Sequence, residues 1–247
     1  MNTHSKNTQN RTAIITGSGR GIGKETAIIL ARHVKNIVVC SRTKNEIDEV
    51  VNEIRDMNGH VNVLGQKCDV SISSQVNSLV RSVVDRFGGE SIDILVNNAG
   101  VAFDKKLVDT TEDDWDQTIN TNLKGAFLIT KAVLPHMIQR KSGTILNVNS
   151  GAGKAGFIDL SSYCASKFGL AGLAESLSLE VKMYNIRVMT IFLGQVATRM
   201  WQDYDYGYYE KNKDNMLSPK NVAAKIVEMI LDSQKYKNGD SVEMYYP

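Results

Sequence analysis

Short runs of β-branched residues alternate along this chain with longer segments of helical period, and that alternation leaves few folds open. Strands apolar on both faces need cover on both, and joining them in parallel takes a crossover long enough to hold a helix. The strand candidates are residues 13–16, 36–40, 61–68, 92–97, 144–148, 187–192 and 242–246. Between them Ile47, Val50, Val51 and Ile54 recur at helical spacing, as do Val76, Leu79, Val80 and Val83, each set forming the inward stripe of a covering helix. Pro219 after Ser218 marks the start of a further helix over 221–231, and another is expected over 163–184. The pattern predicts a parallel sheet of seven strands with helices on both faces.

A chain of 247 residues with 42% hydrophobic content suits one α/β domain of this kind, expected over 11–247. Residues 1–10 read as a flexible polar tail without the apolar stretch of a secretory signal. The formal charge is +2, from 29 basic and 27 acidic residues dispersed along the chain, which argues against a nucleic-acid partner. No apolar run approaches the roughly 20 residues of a membrane helix. Cys40, Cys68 and Cys164 are odd in number and widely separated, as in a reducing, cytoplasmic setting. The four histidines show no metal-ligand spacing, so no metal site is expected.

The first strand-to-helix junction reads Thr16-Gly17-Ser18-Gly19-Arg20-Gly21-Ile22-Gly23. Glycines at 17, 21 and 23 allow a tight turn and close backbone approach to a pyrophosphate at a helix N-terminus, although any tight turn of this type wants glycine. Tyr163 and Lys167 are four residues apart and share a helix face. A neighbouring ammonium eases ionisation of a phenol, and moving its pKa from ~10 to ~7 is worth about 4 kcal/mol. Ser150 closes the fifth strand after which a glycine-rich crossing leads to Tyr163, and it points at the same space.

In the order and spacing of these motifs the chain resembles the classical short-chain dehydrogenases/reductases, from Thr12 to about Met200. The family's TGxxxGxG corresponds to Thr16 through Gly23, its NNAG to Asn97, Asn98, Ala99 and Gly100, and its catalytic Asn, Ser, Tyr and Lys to Asn122, Ser150, Tyr163 and Lys167. The resemblance implies a Rossmann-type doubly wound fold and a hydride transfer between nicotinamide and a carbonyl carbon. Tyr163 would give the proton, Ser150 hold the carbonyl oxygen, Lys167 lower the tyrosine's pKa and grip the ribose, and Asn122 hold a relay water. Asn122 as a simple helix or turn cap is the plainer alternative. Asp69 and Val70 stand where the family contacts adenine, and Asn98, Ala99, Gly100, Gly194, Val196 and Thr198 where it contacts the rest of the cofactor.

Ser41 stands where an acidic side chain would select NAD, and Arg42 and Arg20 are placed to clasp a 2′-phosphate, so NADP(H) is the expected cofactor. Both arginines also read as ordinary solvated side chains. The family's usual Pro-Gly after the sixth strand is here Leu193-Gly194. Residues 198–217 form an irregular stretch rich in aromatics, read as a substrate lid or a subunit contact. Phe157, Trp201 and Tyr204, with Ser150 and Tyr163, are the expected substrate neighbours. Asp203 and Asp205 would disfavour a carboxylate. Small residues on the helix over 163–184 suit pairing with a twin, and a homodimer or homotetramer is expected, the dimer more so because the glycine-rich ending frequent in the family is missing. The expected activity is an NADPH-dependent carbonyl reductase acting on a small or 3-oxoacyl-thioester-like substrate. The rivals are an alcohol or sugar-alcohol dehydrogenase working oxidatively, and a catalytically silent NADP-binding regulator.

Overall fold

In a computed structural model of the chain, residues 10–57, 59–88 and 92–246 are described, with the side chain of Tyr204 excepted. The polar tail expected over 1–10 thus lies, but for its last residue, outside the described residues. Seven strands, β1 (Thr12–Thr16), β2 (Asn36–Ser41), β3 (Asn62–Lys67), β4 (Ile94–Asn97), β5 (Gly143–Ser150), β6 (Ile186–Leu193) and β7 (Ser241–Met244), form a single sheet. The order is β3-β2-β1-β4-β5-β6-β7 and every pairing is parallel. The connections hold α1 (Gly21–Leu30), α2 (Lys44–Met57), α3 (Ser73–Phe87), α4 (Glu112–Ile119), α5 (Gly125–Arg140), α6 (Ser161–Glu180), α7 (Arg199–Tyr204), α8 (Tyr206–Asn212) and α9 (Pro219–Leu231).

The period-two alternation of each strand feeds two apolar layers. Ile15, Val39 and Val96 face α1, α2 and α9, burying Leu30, Ile54 and Ile226. Ile14, Val38, Leu95 and Ile145 face α3, α5 and α6, burying Leu79, Ile129 and Leu177. Each fully buried aliphatic side chain contributes about 1.5–3 kcal/mol, and truncating Ile129 to alanine would cost about 2–5 kcal/mol once the cavity is counted. After β3 the chain crosses to the other side of β1 and continues outward from β4. The crevice beyond the carboxyl ends of β1 and β4, where the winding reverses, is where such sheets place ligands.

The strands differ from their expected bounds by one or two residues at their ends, β7 stopping at Met244 instead of Tyr246, and three helical regions differ as well. The helix expected over 163–184 starts at Ser161 and stops at Glu180, and Lys182–Tyr184 is a separate 3-10 turn closed by Asn185 in the left-handed region at φ 54. The helix expected from 221 starts at Pro219, where the Ser218 hydroxyl accepts from the Asn221 N–H at 3.1 Å. The stretch over 198–217 is not irregular. It holds α7, α8 and a 3-10 turn at Lys213–Asn215, because Asp205 caps α8 by accepting from the Tyr208 N–H at 2.8 Å. Its ends are fastened to each other by an isolated bridge between Val196 and Leu217, with Ala197 donating to Leu217 and Leu217 to Gln195, both at 2.9 Å.

Candidate active site

The turn after β1 is shaped for a backbone to approach a bulky anion. Gly17 is in the left-handed region at φ +63, and a Cβ there would lie 2.8 Å from the Ala99 Cα. A Cβ on Gly23 would lie 2.4 Å from the Gly17 carbonyl oxygen, so α1 packs directly on the turn. Arg20, the N-cap of α1, makes no side-chain cap bond, which leaves the first-turn N–H groups to an incoming phosphate. Gly17, Gly19, Arg20, Gly21 and Ile22 line the cavity, as expected. Ser18 and Gly23 do not. Ser18 is fully buried, donating to the Ile15 carbonyl at 2.7 Å and accepting from the Cys40 N–H at 2.9 Å. Its main-chain N–H goes to the Cys40 carbonyl at 3.0 Å, so it ties the turn to β2 with both of its donors engaged.

Thr16 supports the facing loop, accepting at its hydroxyl from the N–H groups of Asn98 at 3.0 Å and Ala99 at 3.1 Å. Asn98 reciprocates by donating to the carbonyls of Thr16 and Gly17. Asn98, Ala99 and Gly100 line the cavity, as do Asp69 and Val70 at one end and Gly194, Val196 and Thr198 at the other. Ser41 and Arg42 also line it. With them stands Glu46, which the sequence reading passed over. Its carboxylate lies 3.5 Å from the Arg20 guanidinium. The whole cavity holds about 510 Å³, running from Arg42 past the glycine turn to Ser150 and Tyr163. A cradle closed to a Cβ at Gly17, Gly19 and Gly23, a free helix N-terminus and an extended cleft fit a dinucleotide.

At the far end three groups converge. Ser150 ends β5, and its hydroxyl is hydrogen-bonded to that of Tyr163 on α6. Lys167, one turn on, is buried with its ammonium 5.6 Å from the Tyr163 ring centre, donating to the Val148 carbonyl at 3.0 Å. Asn149 completes the docking of α6 on β5, donating to the Lys167 carbonyl at 3.1 Å and accepting from the Ser150 N–H at 2.8 Å. Lys167 and the Ser150 main chain are thus fixed to the β5–α6 junction by side-chain to main-chain bonds. The expectation that Lys167 brings the Tyr163 pKa down is not met in this state. Burial outweighs every other influence and pushes the tyrosine up to about 12, with the Ser150 hydrogen bond pulling the other way. Burial also brings Lys167 down to about 8.

Asn122 sits in a single π-helical turn, Asn120–Lys124, between α4 and α5. Its amide donates to the Val101 carbonyl and the Ser166 hydroxyl, both at 2.9 Å, while its oxygen accepts from the Val101 N–H at 2.8 Å. Asn122 does not line the cavity, and it caps no helix. Its side chain clamps the loop after Gly100 onto α6 through Ser166, a residue that nothing in the sequence singled out.

Around the reacting end, Phe157, Leu160, Met200, Trp201 and Tyr245 form the walls. Phe157 and Trp201 were expected there, whereas Tyr204 has its side chain outside the described residues. Of the other aromatics in 198–217, Tyr208 stacks on Trp201 with ring centres 5.5 Å apart and is hydrogen-bonded to Gln195, while Tyr206 and Tyr209 do not line the cavity. Asp203 pairs with Arg199 and Asp205 caps α8, so neither carboxylate is placed to repel a substrate as expected. Leu160, Met200 and Tyr245 escaped the sequence reading. Among the described residues no helix is long and apolar enough to cross a membrane, and the three cysteines are buried free thiols.

A doubly wound parallel sheet carrying a dinucleotide cradle beside a Ser-Tyr-Lys set defines an oxidoreductase of the nicotinamide-dependent class. Comparison with known proteins gives the family. The sequence matches the short chain dehydrogenase family over residues 11–208, and the chain belongs to it. It is an oxidoreductase acting on CH–OH and C=O groups, in a family that uses NAD(P). It is 33% identical over 243 residues to a 3-oxoacyl-[acyl-carrier-protein] reductase of Thermotoga maritima, covering 95% of this chain and 96% of that one. It is 35% identical over 229 residues to a sepiapterin reductase of Chlorobaculum tepidum, covering 90% and 91%. A solved structure of an actinorhodin polyketide ketoreductase variant with NADPH superposes with a TM-score of 0.87 at 28% identity, covering 96% of each chain.

Proposed function

We propose that the protein is an NADPH-dependent carbonyl reductase that delivers hydride to a ketone or aldehyde, with Tyr163 as the proton donor. The observation that carries this reading is the convergence of Ser150, Tyr163 and Lys167 at the end of a cleft whose other end carries Arg20 and Arg42. Bound in that cleft, the cofactor supplies the hydride. Ser150 then holds the carbonyl oxygen, and the Tyr163 O–H gives it the proton as the carbon is reduced, leaving an alcohol and a tyrosinate. The Lys167 ammonium stabilises that tyrosinate. With its pKa raised, Tyr163 carries its proton at neutral pH, the form a proton donor needs. The Asn122 amide is engaged by Val101 and Ser166 through both its N–H groups and its oxygen, so the part of its side chain is to position the loop after Gly100.

At the adenosine end, Arg20 and Arg42 clasp the 2′-phosphate of NADP(H), and Ser41 offers no negative charge against it. The residues over 198–217 act as the substrate lid, with Met200 and Trp201 as its inner face. Exposed Phe127 on α5 and Phe168 and Leu179 on α6 support pairing of these helices with their twins in a homodimer, extending to a tetramer through another face. A cytoplasmic setting accords with three free thiols. The deciding experiment follows NADPH oxidation against 3-oxoacyl thioesters, semialdehydes, diketones and aryl ketones. Turnover of at least one class, lost in Tyr163→Phe, is expected, and a panel with no turnover overturns the assignment.

A further inference from the structure

The registers of β5, β6 and β7 place three residues in one row at the carboxyl edge of the sheet: Ser150 is level with Leu193, and Leu193 with Met244. The residues that follow them, Gly151, Gly194 and Tyr245, therefore lie beside one another next to the catalytic serine. The Tyr245 ring crowds the space that glycine leaves at Gly194 and lies in ordinary contact with that beside Gly151. Its Cδ1 lies 3.1 Å from the position of a Cβ on Gly194, and its Cε1 lies 3.5 Å from that of a Cβ on Gly151. The Phe157 ring reaches the same point beside Gly151, at 3.8 Å. Tyr245 and Phe157 both line the cavity yet are about half exposed, so their faces are open to whatever enters.

The tyrosine is also held in place. The Gly194 N–H donates to the Met244 carbonyl at 2.9 Å, fixing the main chain at the end of β7. The Tyr245 hydroxyl donates to Glu243, and Glu243 forms an ion pair with Lys154 on the loop that follows Ser150. Lys154 in turn lies 4.4 Å from the centre of the Phe192 ring. Lys154 and Glu243 thus satisfy each other beside the aromatic pair.

We propose that Tyr245 is a specificity-determining residue, forming with Phe157 an aromatic wall that receives a flat apolar or aryl group attached to the reacting carbonyl. The proposal rests on the carbonyl-reductase reading for its choice of substrates, and binding measurements separate the two. Methyl phenyl diketone and diacetyl differ only by phenyl in place of methyl. Loss of ring contact is worth about 1.4 kcal/mol, so Tyr245→Ala should lower the ratio of kcat/KM for the phenyl compound over diacetyl by about tenfold. Tyr245→Phe, which keeps the ring, should hold that ratio within about twofold. Tyr245→Leu serves if the alanine variant does not fold.

In parallel, ligand-observed NMR measures binding of methyl phenyl diketone to wild type and variants, with the same tenfold weakening expected for Tyr245→Ala. Binding that depends on Tyr245 in an enzyme that reduces nothing would retire the reductase reading and uphold this one. A ratio and a binding constant both indifferent to loss of the ring, or a wild type that neither binds nor reduces the phenyl compound, overturns it.

Discussion

Replacing Glu46 by glutamine should make the protein bind NADPH more tightly. The Glu46 carboxylate lies 3.5 Å from the Arg20 guanidinium, and these side chains are 23% and 50% exposed. An anion held by Arg20 therefore approaches a fixed negative charge in a wet setting. A 2′-phosphate carries roughly 1.5–2 charges at neutral pH. About 6 Å from Glu46 in a water-like dielectric each unit costs about 0.7 kcal/mol, and physiological salt screens roughly half of it. The penalty comes to about 0.5–0.7 kcal/mol, a factor of roughly two to three in dissociation constant. Fluorescence titration of the purified protein with NADPH and NADH measures it directly. Glu46→Gln should tighten NADPH by that factor, leave NADH nearly unchanged, and lose most of the gain at high salt. Weaker NADPH binding in the variant would mean that Glu46 orients Arg20 for the phosphate instead of competing with it, and the reasoning would fail.

Tyr163→Phe should lower turnover by roughly 10²–10⁴ while NADPH affinity stays within about twofold, as steady-state rates and titration would report. Reduction should slow as pH rises through about 8, because burial disfavours the Lys167 ammonium and the lysine loses its proton there; a pH–rate profile with no descending limb near 8 would contradict this. Gly17→Ala places a Cβ 2.8 Å from the Ala99 Cα at a left-handed backbone, so thermal melts should show a loss of about 1–3 kcal/mol and little stabilisation by added NADPH.

The central strands were legible because each is an apolar run bounded by turns, whereas β3 and β7 mix polar residues in; the pairing of Tyr163 with Lys167 was legible because their helical spacing survives folding unchanged. The glycine turn was legible as a whole but not residue by residue. Ser18 looks like its neighbours in sequence, and only the fold turns its hydroxyl inward to Ile15 and Cys40. Tyr245 was invisible for a different reason, since its place beside Gly151 depends on the registers of three strands far apart in the chain. The helices within 198–217 were missed because their order hangs on one cap, Asp205. The Tyr163 pKa went the other way because depth of burial outweighs a neighbour whose identity is plain in the sequence.

The bridge between Val196 and Leu217 gives that segment a degree of independence that bears on how the protein can change over evolutionary time. With both ends knotted at one point on the sheet's rim, the intervening residues can lengthen, shorten or be exchanged without disturbing β6 or α9. The entropic charge for such drift is small, about 0.6 kcal/mol for each doubling of loop length. Ser150, Tyr163 and Lys167 sit on β5 and α6, fastened through Val148 and Asn149, which none of these changes would touch. A lineage could thus redesign what enters the cleft while inheriting intact the chemistry performed on it.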